Sequence, residues 1–153
     1  MRHYLVVANH TLGRPPLTER MLSLHGAGRS DFHLLVPATL ALDHVRWTRG
    51  EAVVLARRRL YTALDQLRQQ GLDVHGEVGD PSPIIAITEM LRQRSFHELI
   101  VATLPPGPSL WLRRQLPERI EALFGLPVTL VIGDSASVEE IADAEAGVGA
   151  PTP

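Results

Sequence analysis

The chain has no cysteine and no lysine among its 153 residues. Without cysteine there is no disulfide, no thiolate metal site and no cysteine nucleophile. Without lysine there is neither Schiff-base chemistry nor a P-loop lysine. Every one of the fifteen basic residues is an arginine. No apolar run approaches the roughly 18 residues of a membrane span, and no basic-then-apolar segment opens the chain. We therefore expect a cytoplasmic protein with no membrane partner and no signal peptide. Glycine is scarce where a phosphate loop would need it: Gly107 is the only one between Asp80 and Gly125.

The rest of the composition is that of one soluble globular domain, 44% hydrophobic and 21% charged. A chain of this length buries roughly 68–70% of the surface it exposes when unfolded. Charge is uneven along it. Residues 1–133 carry fifteen arginines against twelve acids, whereas residues 134–153 carry five acids and no base. We expect 1–133 to be the folded α/β domain and 134–153 a mobile acidic tail, since Ala150-Pro151-Thr152-Pro153 offers nothing to pack.

Five apolar strands alternate with four helical stretches. The strands are read at His3–Ala8, Asp31–Val36, Asp73–Gly79, the segment opened by His97-Glu98-Leu99-Ile100-Val101, and Pro127–Ile132. The third has the weakest apolar content and is expected at an edge. The first helix starts near Pro16, with Leu17, Met21 and Leu24 inward, and stops at Gly26 and Gly28. The second runs from about Glu51 to Gln70 with Val53, Leu60, Leu64 and Leu67 as its stripe and Gly71 as its cap. Asp80 followed by Pro81 predicts an N-cap and first turn for the third, lined by Ile84, Ile87, Thr88 and Leu91. The fourth is expected from about Ser109, with Leu112, Leu116, Ile120 and Leu123 inward. The alternation predicts a doubly wound parallel sheet in a three-layer sandwich.

Ligands of such sheets sit beyond the carboxyl ends of the strands, where strand order reverses. That places Asn9, His10 and Thr11, then Val36 to Thr39, Gly79 and Asp80, and Thr103 to Ser109 around one crevice. The loop after the fourth strand holds Pro105, Pro106, Gly107 and Pro108, which narrow it; Trp47 and Trp111 are lid candidates.

With Gly76-Glu77-Val78-Gly79-Asp80-Pro81 leading into an apolar helix, Glu98-Leu99-Ile100-Val101 leading into a small-residue loop, and Pro127-Val128-Thr129-Leu130-Val131 closing the sheet, the chain resembles the universal stress protein family over residues 2–132. The resemblance implies strand order 3-2-1-4-5 and a homodimer through the last strand. It also implies an ATP site built from an aspartate after the first strand, backbone at the end of the second, and a G-x-x-G-x₉-G-[S/T] loop after the fourth. Here Asn9 stands for the aspartate and Val36 matches the second-strand position. The loop pattern cannot be written, because Gly107 is alone and Pro117-Glu118 stands where Gly-Ser belongs. A proline removes a phosphate-facing N–H, and a carboxylate repels phosphate.

We therefore expect no cofactor, with ATP or another adenine nucleotide as the ligand to test. Two functions remain. One is a non-catalytic, dimeric stress-protein-like module acting through protein contacts. The other is a nucleotide sensor whose phosphate site is rebuilt from Arg113, Ser109 and Thr103. The candidate crevice is thus Asn9, His10, Val36, Thr39, Thr103, Gly107, Ser109 and Arg113. Arg113 and Arg114 beside Trp111 form a candidate anion clamp.

Other chemistries lack their residues. Seven histidines give no H-x₃₋₅-H or H-E-x-x-H spacing, so no metal is expected; His33, His75 and His97 are read as strand residues with backbone partners, and His10 as a crevice-mouth residue held by a local turn. There is no G-x-S-x-G elbow, and Asn9-His10-Thr11 with Gly79 lacks the acids of a phosphoacceptor receiver domain. No enzyme activity is expected. Arg57-Arg58-Arg59 point three ways from one helix and read as a solvated outer face. With an overall negative chain they do not predict nucleic-acid binding.

Overall fold

The computed structural model describes residues 1–38, 49–103 and 116–132. Nine elements alternate: β1 Arg2–Val7, α1 Pro15–Ala27, β2 Ser30–Pro37, α2 Arg49–Gln69, β3 Asp73–Gly79, α3 Pro83–Gln93, β4 Glu98–Thr103, α4 Leu116–Phe124 and β5 Val128–Ile132. The expected tail and the domain boundary at residue 133 lie outside the described residues.

The five strands form one parallel sheet in the order β3-β2-β1-β4-β5. Successive side chains on the central strands divide between two cores, as strand pleating requires. Tyr4, Val6, Phe32, Leu34 and Ile100 face α1 and α2, packing with Leu17, Met21, Leu60 and Leu64. Leu5, Val7, Leu35, Leu99 and Val101 face the other way, against Ala86, Ile87 and Met90 of α3, with Phe124 of α4 packed at the margin. Both faces of β1 are buried, which is why its sequence shows no polar alternation.

Edge position explains the weaker sequence of β3. Its Val74 is buried toward α2, while Asp73, His75 and Glu77 on the opposite face are exposed. Gly76 leaves no room for a side chain: a Cβ there would stand 2.7 Å from Leu60 Cδ1 of α2 and 2.8 Å from the Leu34 carbonyl oxygen of β2. Gly71 ends α2 with φ +89°, the left-handed turn expected of it.

Two local expectations are corrected. Helix α3 is capped by Ser82, not Asp80: the Asp80 carboxylate instead accepts from the Ser82 backbone N–H at 2.9 Å. This turn spends Asp80 before the helix begins and moves the first helical proline from Pro81 to Pro83. Leu123, expected inward, is 59% exposed. Phe124, its neighbour, takes the place against the second core. The start of the fourth helix at Ser109, with Leu112, lies outside the described residues.

Candidate functional site

Strand order reverses at β1, whose two sheet neighbours are reached by connections on opposite faces, so the carboxyl end of β1 is where a crevice opens. Backbone hydrogen bonds knit this end together. The Ala8 N–H donates to the Leu35 carbonyl at 3.2 Å, and the Ala38 N–H to the Gly79 carbonyl at 3.1 Å. A turn follows, with Leu12 N–H donating to the Asn9 carbonyl and Arg14 N–H to the Thr11 carbonyl.

Asn9 is buried at this point, 5% exposed. Its Nδ2 donates to the Pro37 carbonyl at 2.9 Å, and its Oδ1 accepts from Arg59 Nη1 at 2.9 Å. Both halves of the amide are thus used within the fold. An aspartate here could accept from Arg59 but could not donate to Pro37. The side chain suits a structural tie between β1, β2 and α2.

His10, partly buried beside this tie, is pushed down from 6.5 to about 4 by burial and then by the Arg59 guanidinium. It is therefore neutral at pH 7. Thr11 is 3% exposed and its hydroxyl has no hydrogen-bond partner among the described residues. Val36 is fully buried in register with Val78. Thr103 ends β4 opposite Ile132.

The structure thus brings Asn9 and His10 together beside the end of β2 that contains Val36. Thr39, Gly107, Ser109 and Arg113 lie outside the described residues, as do Trp47, Trp111 and Arg114 and the side chain of Thr103. The residue that sequence reasoning missed is Arg59. Arg57 and Arg58 are exposed as expected, but Arg59 turns inward to Asn9. The signal was present: buried Ala56 and Ala63 bracket Arg59 at i−3 and i+4, placing it on the inward side of α2.

Two histidines in mid-strand depart from expectation. His33 and His75 pair with side chains, Glu77 at 3.2 Å and Asp73 at 3.1 Å, and not with backbone. Arg94 Nη1 contacts His33 Nδ1 at 2.9 Å. An arginine can only donate, so Nδ1 is the acceptor and the ring carries its proton on Nε2. His97 does have a backbone partner, accepting from the His3 N–H at 2.9 Å. Among the described residues no group of three or more metal-ligating side chains converges, and no helix is long and apolar enough to cross a membrane. No protein-family model and no curated protein matches this chain.

Proposed function

We propose that this chain is a universal-stress-protein-like module without catalytic activity, dimeric through β5, that acts through protein contacts in a stress response and does not hold ATP in that family's usual way. The sheet order is the one the resemblance implies. The observation that carries the reading is the Asn9 tie. At the position where the family presents an aspartate to adenine, this chain has an amide whose acceptor is held by Arg59 and whose donor is held by Pro37. The amide is thus committed through both its nitrogen and its oxygen, where the family offers a carboxylate to adenine.

The dimer part of the reading draws on the edge position of β5. Val128 to Val131 are only half-buried in a single chain, and Ile132 is 42% exposed. A long apolar edge strand is stabilised by pairing with a second copy.

Titration of nucleotide-stripped protein with ATP, followed by AMP and a dinucleotide, tests the central claim. The expected result is no saturable binding up to millimolar concentration. Saturable ATP binding that perturbs Asn9 and Val36 refutes it. Sedimentation at micromolar concentration tests the dimer separately, and a monomer there removes that part.

A further inference from the structure

The connection from α3 to β4, residues 94–97, is fastened at each end through an imidazole nitrogen that accepts a hydrogen bond. At the α3 end, the Arg94 N–H donates to the Met90 carbonyl at 3.0 Å and closes the helix. Its side chain reaches β2, where Nη1 donates to His33 Nδ1 at 2.9 Å. At the β4 end, the His3 N–H donates to His97 Nδ1 at 2.9 Å, and the two rings stack with centroids 5.5 Å apart. Between these points Phe96 packs at the margin of the second core, 6.2 Å from the His33 ring.

His33 sits where that apolar core gives way to the exposed edge strand, in register with Leu5 of β1 and His75 of β3. It is 8% exposed, and its Nε2–H donates to the Glu77 carboxylate at 3.2 Å, so both ring nitrogens are used. The charged and titratable groups around it come from each neighbouring element. Strand β3 brings Glu77, and His75 paired with Asp73; β1 brings His3, paired with Asp31 of β2; the connection brings Arg94. Burial is the main cause holding the His33 titration below its ordinary value. Glu77 opposes this, and the charges of Arg94 and His75 add to it. His97 meets His3, with Asp31 behind it. On the opposite face of β4, Glu98 accepts from Thr129 and lies 3.8 Å from Arg2. Arg94 is exposed and makes no ion pair among the described residues, so His33 is what holds its side chain.

We propose that residues 94–97 form a proton-released latch, held to the sheet by the Nδ1 atoms of His33 and His97 while those rings are neutral and let go when they are protonated. A neutral imidazole accepts at one nitrogen, whereas an imidazolium carries hydrogen on both and can only donate. At His33 the added proton also sets a positive ring against the Arg94 guanidinium, which turns out to solvent, while the bond to Glu77 becomes charge-assisted. At His97 it sets donor against donor at the His3 N–H. The ladder bond from the His97 N–H to the His3 carbonyl involves no titrating atom and remains. Release is therefore confined to the connection and uncovers the Phe96 ring with the sheet still folded. The latch uses no residue of the crevice at the end of β1 and operates whether or not a nucleotide binds there.

NMR of the isotope-labelled full chain, between about pH 7.5 and 5 where histidine changes charge, tests this. As the His33 nitrogens show protonation, the guanidinium hydrogens of Arg94 should exchange about tenfold faster relative to those of exposed Arg92, as for one lost hydrogen bond. The contact between the Phe96 and His33 rings should weaken, and the His3 N–H should lose protection as His97 protonates. The amides of Val6 and Ile100 should keep theirs. His33→Gln supplies an oxygen that accepts from Arg94 at every pH and should keep Arg94 slow in acid. Arg94→Met removes an exposed donor and should show the weakened ring contact already at pH 7.5, with no further change in acid. If His33→Gln does not fold, Arg94→Met decides. The proposal is overturned by Arg94 exchange that ignores the His33 titration, or by the wild-type acid response surviving in either variant. It is equally overturned by His3 protection that ignores the His97 titration, or by loss of protection at Val6 and Ile100 together with the connection.

Discussion

His10 offers the most direct test of the electrostatics at the end of β1. In the unfolded chain it takes up a proton near pH 6.5, whereas burial and Arg59 hold it to about 4 in the fold. Between those values the unfolded state binds more protons, so acid favours unfolding. The stabilisation is fully present above pH 6.5 and is lost progressively as pH falls toward 4. A difference of 2.5 units, at about 1.36 kcal/mol per unit, corresponds to at most about 3 kcal/mol, with solvent around the partly exposed ring reducing it. Urea unfolding across this range measures the effect, and His10→Gln isolates it, because carboxylates and His33 titrate in both proteins. Wild type should lose up to about 3 kcal/mol relative to His10→Gln between pH 6.5 and 4. Arg59→Gln should raise the His10 titration observed by NMR without restoring it to 6.5, since burial is the larger cause. A His10 titration near 6.5 in wild type, or identical pH slopes in both proteins, refutes the account.

Further outcomes follow from other contacts. Gly76→Ala places a methyl group against Leu60 and the Leu34 carbonyl, and should destabilise by about 1–3 kcal/mol in denaturant unfolding. Asn9→Ala leaves the Pro37 carbonyl and Arg59 without this amide. It should cost about 1–3 kcal/mol, and Asn9→Asp should cost more than an ordinary surface exchange because it removes the donor. His33, lowered first by burial, should show the Nε2–H tautomer by nitrogen NMR at neutral pH, and Arg94→Gln should raise its titration. Because that titration is lowered in the fold, stability from His33 is kept above its ordinary pKa and declines as pH falls below it. Phe32→Ala, emptying a fully buried position against Tyr4, should cost about 3–5 kcal/mol by thermal or chemical unfolding.

Under the proposed function, Asn9 stands where an ATP-binding pattern has an aspartate. A missing glycine loop by itself describes a site that lacks a part. An asparagine whose donor and acceptor are both engaged describes a site put to structural use, with Arg59 drawn in from α2 to complete it. The same arginine adds to the burial that holds the His10 titration down. A single inward-turned cation therefore links the stability of the β1 end to its pH response.

Sequence alone determined the sheet and its layers. Unbroken apolar runs at Leu5–Ala8 and Leu99–Ala102 require burial on both faces, and alternation with helical stripes leaves a parallel sheet as the architecture. The weak pattern Asp73–Gly79 was legible as an edge, because only the face carrying Val74 and Val78 is covered there. Local chemistry with competing partners was not legible. Asp80 and Ser82 both suit a cap, and only the chain's path past Pro81 and Pro83 selects Ser82. Leu123 and Phe124 compete for one core position on α4, and packing chose Phe124. Asn9 could be placed at the crevice from sequence, but its meaning depends on Pro37 and on Arg59, 50 residues away along the chain. Periodicity records which face a residue occupies; which polar atoms meet across that face is decided by the distance between elements, and only the tertiary structure sets it.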